Sequence, residues 1–246
     1  MRAAIAGLEH REQQGVRVLV DPEAEARGVL VAFADRRGGV SKAPYDELNL
    51  AAKGGDRAAD ALENRRRVGV AAGFDPAAIV LPRPVHGADV ATVVPGRTVE
   101  IPAADGLTTA VPGTVLGLLT ADCAAVVLAA NDGVAILHAG WRGLAGGIVE
   151  AGVAAVGPVW RAWVGPAIRD CCYEVGPEVV DALRARGLPA GANRVDVARA
   201  AEAALRSAGV TRVVVVDTCT GCNPDYFSYR RDRVTGRQGA FVSILC

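Results

Sequence analysis

The sequence predicts one mixed α/β domain. Short apolar runs rich in Val, Ile and Leu alternate with helical stretches, strand candidates outnumber helix candidates, and hairpin signals occur between strands. These three observations favour a mixed sheet over a doubly wound parallel sheet. The chain has 246 residues, of which 51% are hydrophobic, so it can bury a core without disulfides.

Ten apolar runs have the length and composition of strands. In chain order they are Val16–Val20, Val29–Ala34, Ile79–Leu81, Val90–Val94, Val115–Leu119, Ala125–Ala129, Val134–Leu137, Arg161–Val164, Thr211–Val216 and Phe241–Leu245.

Four stretches have helical character. They are Arg57–Ala72, Leu144–Val156, Pro177–Arg186 and Arg194–Ala208. Gly187 and Gly209 follow the last two and suit a left-handed C-terminal cap. The first fifteen residues are polar and are predicted to be frayed. No repeat or low-complexity linker divides the chain, which predicts a single domain over residues 1–246.

The charge balance excludes several classes of protein. The 27 basic residues cancel the 27 acidic ones, and the pI is near 6.8, which disfavours nucleic-acid binding and attachment to a membrane surface by a basic patch. No apolar run approaches the roughly 20 residues of a membrane span, and no signal peptide is recognisable at the start. We therefore expect a cytoplasmic protein.

A predicted hairpin brings a thiol and an imidazole together. Asn131-Asp132-Gly133 separates two apolar β runs and is a strong turn signal. Folding the chain there places opposite one another residues whose numbers sum to about 261–264. Cys123 then faces residues near His138, at the open end of the hairpin. A lone cysteine in an apolar strand is usually core filling, but these two residues lie at strand ends.

His86 is the natural third member of a His/Cys/His set. It follows Pro84-Val85 in a short loop between two strand candidates, and the chain has three histidines in all. Two histidines and one thiolate with an open fourth position suit a catalytic zinc that activates a water molecule. Copper accepts the same ligands, so the ligand types do not choose between the two metals. Asp122, beside Cys123, is a candidate for moving protons.

Two further segments carry possible sites. The glycine-rich turn around Arg142 and Gly143 precedes a predicted helix and could hold a phosphate or another oxyanion, although glycines there also permit close helix packing. Cys219-Thr220-Gly221-Cys222 has no second pair at zinc-ribbon spacing and is interpreted as structural. The adjacent Cys171 and Cys172 are geometrically poor partners for a disulfide.

Several motifs together resemble the YfiH family, also labelled laccase-domain proteins, multicopper polyphenol oxidases and purine nucleoside phosphorylases. They are Val85-His86-Gly87, Asp105-Gly106-Leu107-Thr108-Thr109, Thr120-Ala121-Asp122-Cys123, His138-Ala139-Gly140-Trp141-Arg142-Gly143, Gly165-Pro166-Ala167-Ile168, Cys172-Tyr173-Glu174-Val175, Tyr226-Phe227-Ser228-Tyr229-Arg230-Arg231-Asp232 and Thr235-Gly236-Arg237. The resemblance covers about residues 29 to 245. This chain departs from the family pattern at Pro84, at Ala125 and in the linker Cys222-Asn223-Pro224-Asp225.

The resemblance implies a single-domain α/β sandwich in which His86, Cys123 and His138 bind zinc. It implies phosphorolysis of adenosine, inosine, guanosine and methylthioadenosine, and deamination of adenosine. It also suggests Arg36, Asn49 and Arg65 as substrate contacts. The expected partners are purine nucleosides and phosphate, without nucleic acid or membrane, and the expected state is a monomer.

Three functional classes stay open on the sequence. They are a zinc-dependent nucleoside enzyme, a metal-free Cys–His hydrolase in which Cys123 is the nucleophile, and a non-catalytic binding protein. A copper-dependent polyphenol oxidase is the weakest version of the enzyme hypothesis, because three histidines are too few for a trinuclear copper centre and a blue-copper site.

Overall fold

The computed structural model describes residues 7–94 and 103–246, and within them twelve strands and seven α-helices. The strands are β1 (Glu9–Gln13), β2 (Val16–Val20), β3 (Val29–Ala34), β4 (Ile79–Val80), β5 (Val90–Thr92), β6 (Gly106–Thr109), β7 (Val115–Thr120), β8 (Ala124–Ala130), β9 (Val134–Ala139), β10 (Val159–Val164), β11 (Val213–Val215) and β12 (Gln238–Ile244). The helices are α1 (Pro22–Ala26), α2 (Ala58–Ala72), α3 (Trp141–Gly146), α4 (Ile148–Val156), α5 (Pro177–Ala185), α6 (Val197–Ser207) and α7 (Tyr229–Asp232).

The strands form two mixed six-stranded sheets. The first has the order β1-β2-β3-β12-β7-β4, and the second has the order β11-β10-β8-β9-β6-β5. Most neighbours are antiparallel, and three pairs, β4–β7, β5–β6 and β10–β11, are parallel. The predicted mixed α/β sandwich is therefore confirmed.

The sheets pack face to face, and helices cover their outer surfaces. Strand β8 is buried along its whole length because its successive side chains point to opposite faces of the sheet, and both faces are covered. Val127 belongs to the core between the sheets, whereas Val126 belongs to the core under α4 and α6. Helix α2 covers the outer face of the first sheet. This four-layer packing explains the continuous apolar runs in the sequence.

The prediction of a frayed N-terminus is wrong for Glu9–Gln13. These residues form edge strand β1 and pair with β2 in antiparallel register. Polar side chains suit an edge strand because one of its faces meets water. The Arg11 side chain also donates hydrogen bonds to the Glu25 carboxylate and to the carbonyl oxygen of Ala72, which attach the strand to helices α1 and α2. The start of the segment, residues 1–6, lies outside the described residues.

Several other elements differ from the sequence prediction. The predicted helix Leu144–Val156 is two helices, because Gly147 has a φ of 88° and ends α3 before α4 begins. Helix α6 begins at Val197 because the Asp196 side chain accepts a hydrogen bond from the backbone of Arg199. Strand β6, short and rich in Gly and Thr, was not predicted. Gly187 and Gly209 do adopt the predicted left-handed conformation, with φ of 70° and 87°.

Candidate metal centre and its cavity

The β8–β9 hairpin places Cys123 beside His138. The register pairs Ala125 with His138 and Ala124 with Ala139, which confirms the predicted register. Cys123 directly precedes β8, where Asp122 turns the chain with a φ of 97°. The thiol therefore emerges at the open end of the hairpin, next to the end of β9.

A buried carboxylate, Asp105, holds the loop that carries His86. Its oxygens accept hydrogen bonds from the backbone N–H groups of Val85 at 3.1 Å, His86 at 2.8 Å and Gly87 at 2.7 Å. These bonds fix a loop in which His86 has a φ of 61°. The side chain of Asp105 has no solvent exposure, so the three bonds are formed away from water.

The same carboxylate orients the second histidine. Asp105 Oδ1 lies 2.9 Å from His138 Nδ1, which leaves Nε2 as the free ring nitrogen of His138. Ligand atoms of His86, Cys123 and His138 all lie within 4.8 Å of one another. Two imidazoles and one thiol, with a carboxylate fixing one imidazole, suit a three-ligand metal site and its supporting shell.

Burial sets the electrostatics of these groups. It raises the pKa of the Cys123 thiol to about 12, and the neighbouring Asp122 charge adds to the effect. Burial also lowers the pKa of His138, against a smaller opposing contribution from Asp105. An isolated thiol of this kind is protonated at neutral pH and is a weak nucleophile. A neutral imidazole is the form that binds a metal.

The three ligands open into a cavity of about 620 Å³. His86 is exposed at the cavity, Cys123 is half-buried and His138 is buried. The lining is basic and aromatic: it includes Arg142, Arg230, Arg233, Arg237, Trp141, Tyr173 and Tyr229. Among the described lining residues, the one carboxylate is Asp122. The cavity therefore suits an anionic group together with a flat ring.

Of the predicted anion-binding residues, Arg142 lines the cavity and Gly143 does not. The Arg142 guanidinium lies 4.4 Å from the centre of the Trp141 ring. Gly143 is buried in α3, where an added Cβ would lie 3.1 Å from the carbonyl oxygens of Gly87 and His138. Gly143 thus permits close packing of α3 against the ligand-bearing segments.

Arg36 and Arg65 do not line the cavity in the described structure. Arg36 donates to the carbonyl oxygen of Asp46 at 2.6 Å and stacks on Phe227. Arg65 donates to the carbonyl oxygen of Leu50 at 2.9 Å. Both side chains bind the protein's own backbone, so substrate contact by either residue stays a prediction.

Asn49 and Asp122 support the cavity wall. Asn49, also outside the lining, accepts a hydrogen bond from the backbone N–H of Arg237 at 2.9 Å. Asp122 accepts one from the Thr220 hydroxyl and one from the backbone N–H of Arg230, each at 2.7 Å. Asp122 thereby connects the turn before Cys123 to two segments that follow β11. Its proposed part in proton transfer stays a prediction.

Sequence reasoning gave no role to Asp105, Tyr173, Arg230 or Arg237. Asp105 was part of a family motif, but its contact with His138 depends on the pairing of β6 with β9. The other three also belong to quoted motifs, and they reach the cavity from the loop after β10, from α7 and from the residue before β12; nothing in the local sequence shows that these segments meet.

The family model described as "Multi-copper polyphenol oxidoreductase laccase" matches residues 30–245. The chain belongs to this family. It is 43% identical over 228 residues to the Streptomyces griseus protein named purine nucleoside phosphorylase ORF3, covering 86% of this chain and 92% of that one. It is 37% identical over 243 residues to the Escherichia coli purine nucleoside phosphorylase YfiH, covering 93% and 99%.

Solved structures agree with the fold. The crystal structure of YlmD from Geobacillus stearothermophilus superposes with a TM-score of 0.84 at 32% identity, covering 96% of this chain and 98% of that one. The Bacillus licheniformis protein YfiH gives the same TM-score at 28% identity and the same coverage. Within the described residues, no helix of this family member combines the length and apolar character needed to cross a membrane.

Proposed function

We propose that the chain is a zinc-dependent purine nucleoside phosphorylase. The observation that carries the proposal is the convergence of His86, Cys123 and His138 at the floor of a cavity lined by arginines and aromatic rings. The proposed substrates are adenosine, inosine, guanosine and methylthioadenosine, with inorganic phosphate as the second substrate. The names of the Streptomyces and Escherichia relatives support this assignment.

His86, Cys123 and His138 would hold the ion. A bound Zn²⁺ would supply a Lewis acid with one position facing the cavity. The donor set fits because the three ligand atoms lie within 4.8 Å of one another and Asp105 fixes the His138 ring. Cu²⁺ accepts the same donors, so the metal is a question for analysis of the purified protein.

The cavity walls would bind the two substrates. In phosphorolysis a phosphate oxygen attacks C1′ of the ribose, the bond from C1′ to the purine breaks, and the base leaves after taking up a proton. The guanidinium of Arg142 would bind the phosphate, assisted by Arg230 and Arg237, which also line the cavity. The purine would stack on an aromatic ring of the cavity wall, for which the half-buried Tyr173 and Trp141 are the candidates.

Adenosine deamination is the second reaction that we propose for this cavity. Water would take the place of phosphate and would add at C6 of the purine, with ammonia as the leaving group. Asp122 would act as a positioning residue. Its buried carboxylate accepts hydrogen bonds from Thr220 and from the backbone of Arg230, and would thereby hold both in the cavity wall.

Product chromatography after incubation with adenosine tests both reactions. We expect adenine, hypoxanthine and ribose 1-phosphate only when phosphate is present, and inosine in both conditions. Cys123→Ala should remove both activities, whereas Cys246→Ser, at an exposed cysteine outside the cavity lining, should keep them. Full activity in Cys123→Ala, or no product from the wild type, would overturn the proposal.

Two alternative functions predict different results in other assays. A metal-free Cys–His hydrolase would keep its activity after chelation and would lose it on alkylation of Cys123. A polyphenol oxidase would consume oxygen with a phenolic substrate. The family's name favours the oxidase. The chain has three histidines, however, and one of them, His10, lies on edge strand β1, which leaves two for a site that would need many more to hold several copper ions.

A further inference from the structure

Four cysteines converge at one edge of the second sheet, apart from the His86, Cys123 and His138 centre. Strands β10 and β11 run parallel, so their carboxyl ends meet at the same edge. One pair of cysteines follows β10 and the other follows β11, and a bridge between Ala167 and Cys219 extends the pairing beyond the strands. The four residues are Cys171, Cys172, Cys219 and Cys222.

The four sulfur atoms lie close together. All four Sγ atoms lie within 4.8 Å of one another. The Cys171–Cys222 distance is 3.1 Å, and the Cys172–Cys219 distance is 3.4 Å. A tetrahedral zinc with Zn–S bonds of about 2.3 Å places its sulfurs about 3.8 Å apart. These two separations are shorter than that value by about 0.4–0.7 Å, and no pair of the four sulfurs is more than 4.8 Å apart.

The backbone at Gly221 passes close to the Cys172 sulfur. An added Cβ on Gly221 would lie 2.6 Å from Cys172 Sγ, so the Cys-x-x-Cys turn passes over this sulfur only because it contains glycine.

Arginines surround the cluster and favour negative charge on it. Arg194 Nη1 donates to the carbonyl oxygen of Cys171 at 3.3 Å. Arg231 Nη1 donates to the carbonyl oxygens of Thr220 at 2.9 Å and Gly221 at 3.3 Å. Four thiolates around a divalent cation carry a net charge of about −2, and these guanidinium groups, which also pair with Glu174 and Asp232, would offset part of it.

We propose that Cys171, Cys172, Cys219 and Cys222 bind a structural Zn²⁺ ion. Each thiol gives up its proton when its sulfur binds, so one Zn²⁺ replaces four protons and no redox change occurs. Four protein ligands close the coordination shell, which makes the ion structural rather than catalytic.

The ion would hold one wall of the main cavity. Cys172 directly precedes Tyr173, which lines the cavity. Cys219 and Cys222 flank Thr220, whose hydroxyl binds Asp122 beside the other metal centre. The tetrathiolate site would therefore connect the loop after β10 to the segment that leads from β11 to α7.

Metal content per chain tests the proposal on intact protein purified from zinc-supplemented cells without chelator. Relative to wild type, Cys171→Ser/Cys222→Ser should lose about one zinc ion per chain. Cys123→Ala should lose zinc from the other centre only, and the matched control Cys246→Ser should lose none. Equal zinc content in wild type and Cys171→Ser/Cys222→Ser, with both folded by circular dichroism, would overturn the proposal.

A second measurement keeps the test valid if the double variant does not fold. Wild-type protein is treated with a maleimide before and after a strong chelator, and the modified cysteines are mapped by mass spectrometry. We expect all four cluster cysteines to be protected before chelation and modified after it. Rapid modification before chelation would contradict a bound metal. Resistance after chelation that ends only with a reductant would show two disulfides instead.

Discussion

Replacing Asp105 by asparagine should disturb both the His86 loop and the metal centre. In one orientation the new amide NH₂ would take the place of Oδ2 and face the backbone N–H groups of Val85 and Gly87. In the other orientation the amide NH₂ would take the place of Oδ1 and face the backbone N–H of His86. His138 would then have to accept a hydrogen bond from this NH₂ at Nδ1. The proton of His138 would then sit on Nε2, and that nitrogen could not bind a metal.

The magnitude follows from the bonds that are lost. Leaving a buried donor unpaired costs about 1–3 kcal/mol, so one or two such donors should lower the free energy of unfolding by about 1–6 kcal/mol. Loss of the carboxylate that orients a histidine ligand typically lowers metal affinity by about 10- to 100-fold.

Two assays measure these effects: urea unfolding of the metal-free protein and competition for zinc with a chromophoric chelator. Asp89→Asn is the matched control, because it removes the same charge from an exposed side chain near the same loop. The control should unfold and bind zinc as the wild type does. If Asp105→Asn also matched the wild type in both assays, the assigned role of the carboxylate would be wrong.

Three further predictions address other contacts. Gly140→Ala should reduce zinc binding at the centre, measured as metal per chain, because its Cβ would lie 2.9 Å from Cys123 Sγ; an unchanged zinc content would contradict this packing. Asp21→Ala should lower the free energy of unfolding by about 2–6 kcal/mol, measured in urea, because it leaves two buried donors, the Trp163 indole N–H and the Ala24 backbone N–H, without an acceptor and removes one of the two carboxylates that pair with Arg161. Asp122→Asn should raise KM more than it lowers kcat; a fall in kcat of about 10²- to 10⁴-fold at unchanged KM would instead indicate proton transfer.

The parts of the site that depend on local pairing could be predicted from the sequence. The turn at Asn131-Asp132-Gly133 sets the hairpin register, and the register places Cys123 beside His138. Inclusion of His86 rested on the scarcity of imidazole and on the family motif. The mixed sandwich followed from the number of apolar runs and from the same resemblance.

The parts that depend on long-range pairing could not be predicted. Asp105 meets His138 because β6 pairs with β9, and β6 lacks the apolar run that marks a strand. Cys171 and Cys219 meet because β10 and β11 are parallel neighbours, although α5 and α6 separate them along the chain. No spacing rule connects residues brought together by a crossover of that length.

Anomalous X-ray diffraction at the zinc edge, from crystals grown without chelator, tests the central claim most directly. The account predicts a peak bonded to His138 Nε2, Cys123 Sγ and one nitrogen of His86, at about 2.0–2.3 Å from each, with its remaining side open to the cavity. A map with no peak among these three atoms, or a Cys123 sulfur turned away from both rings, would contradict it.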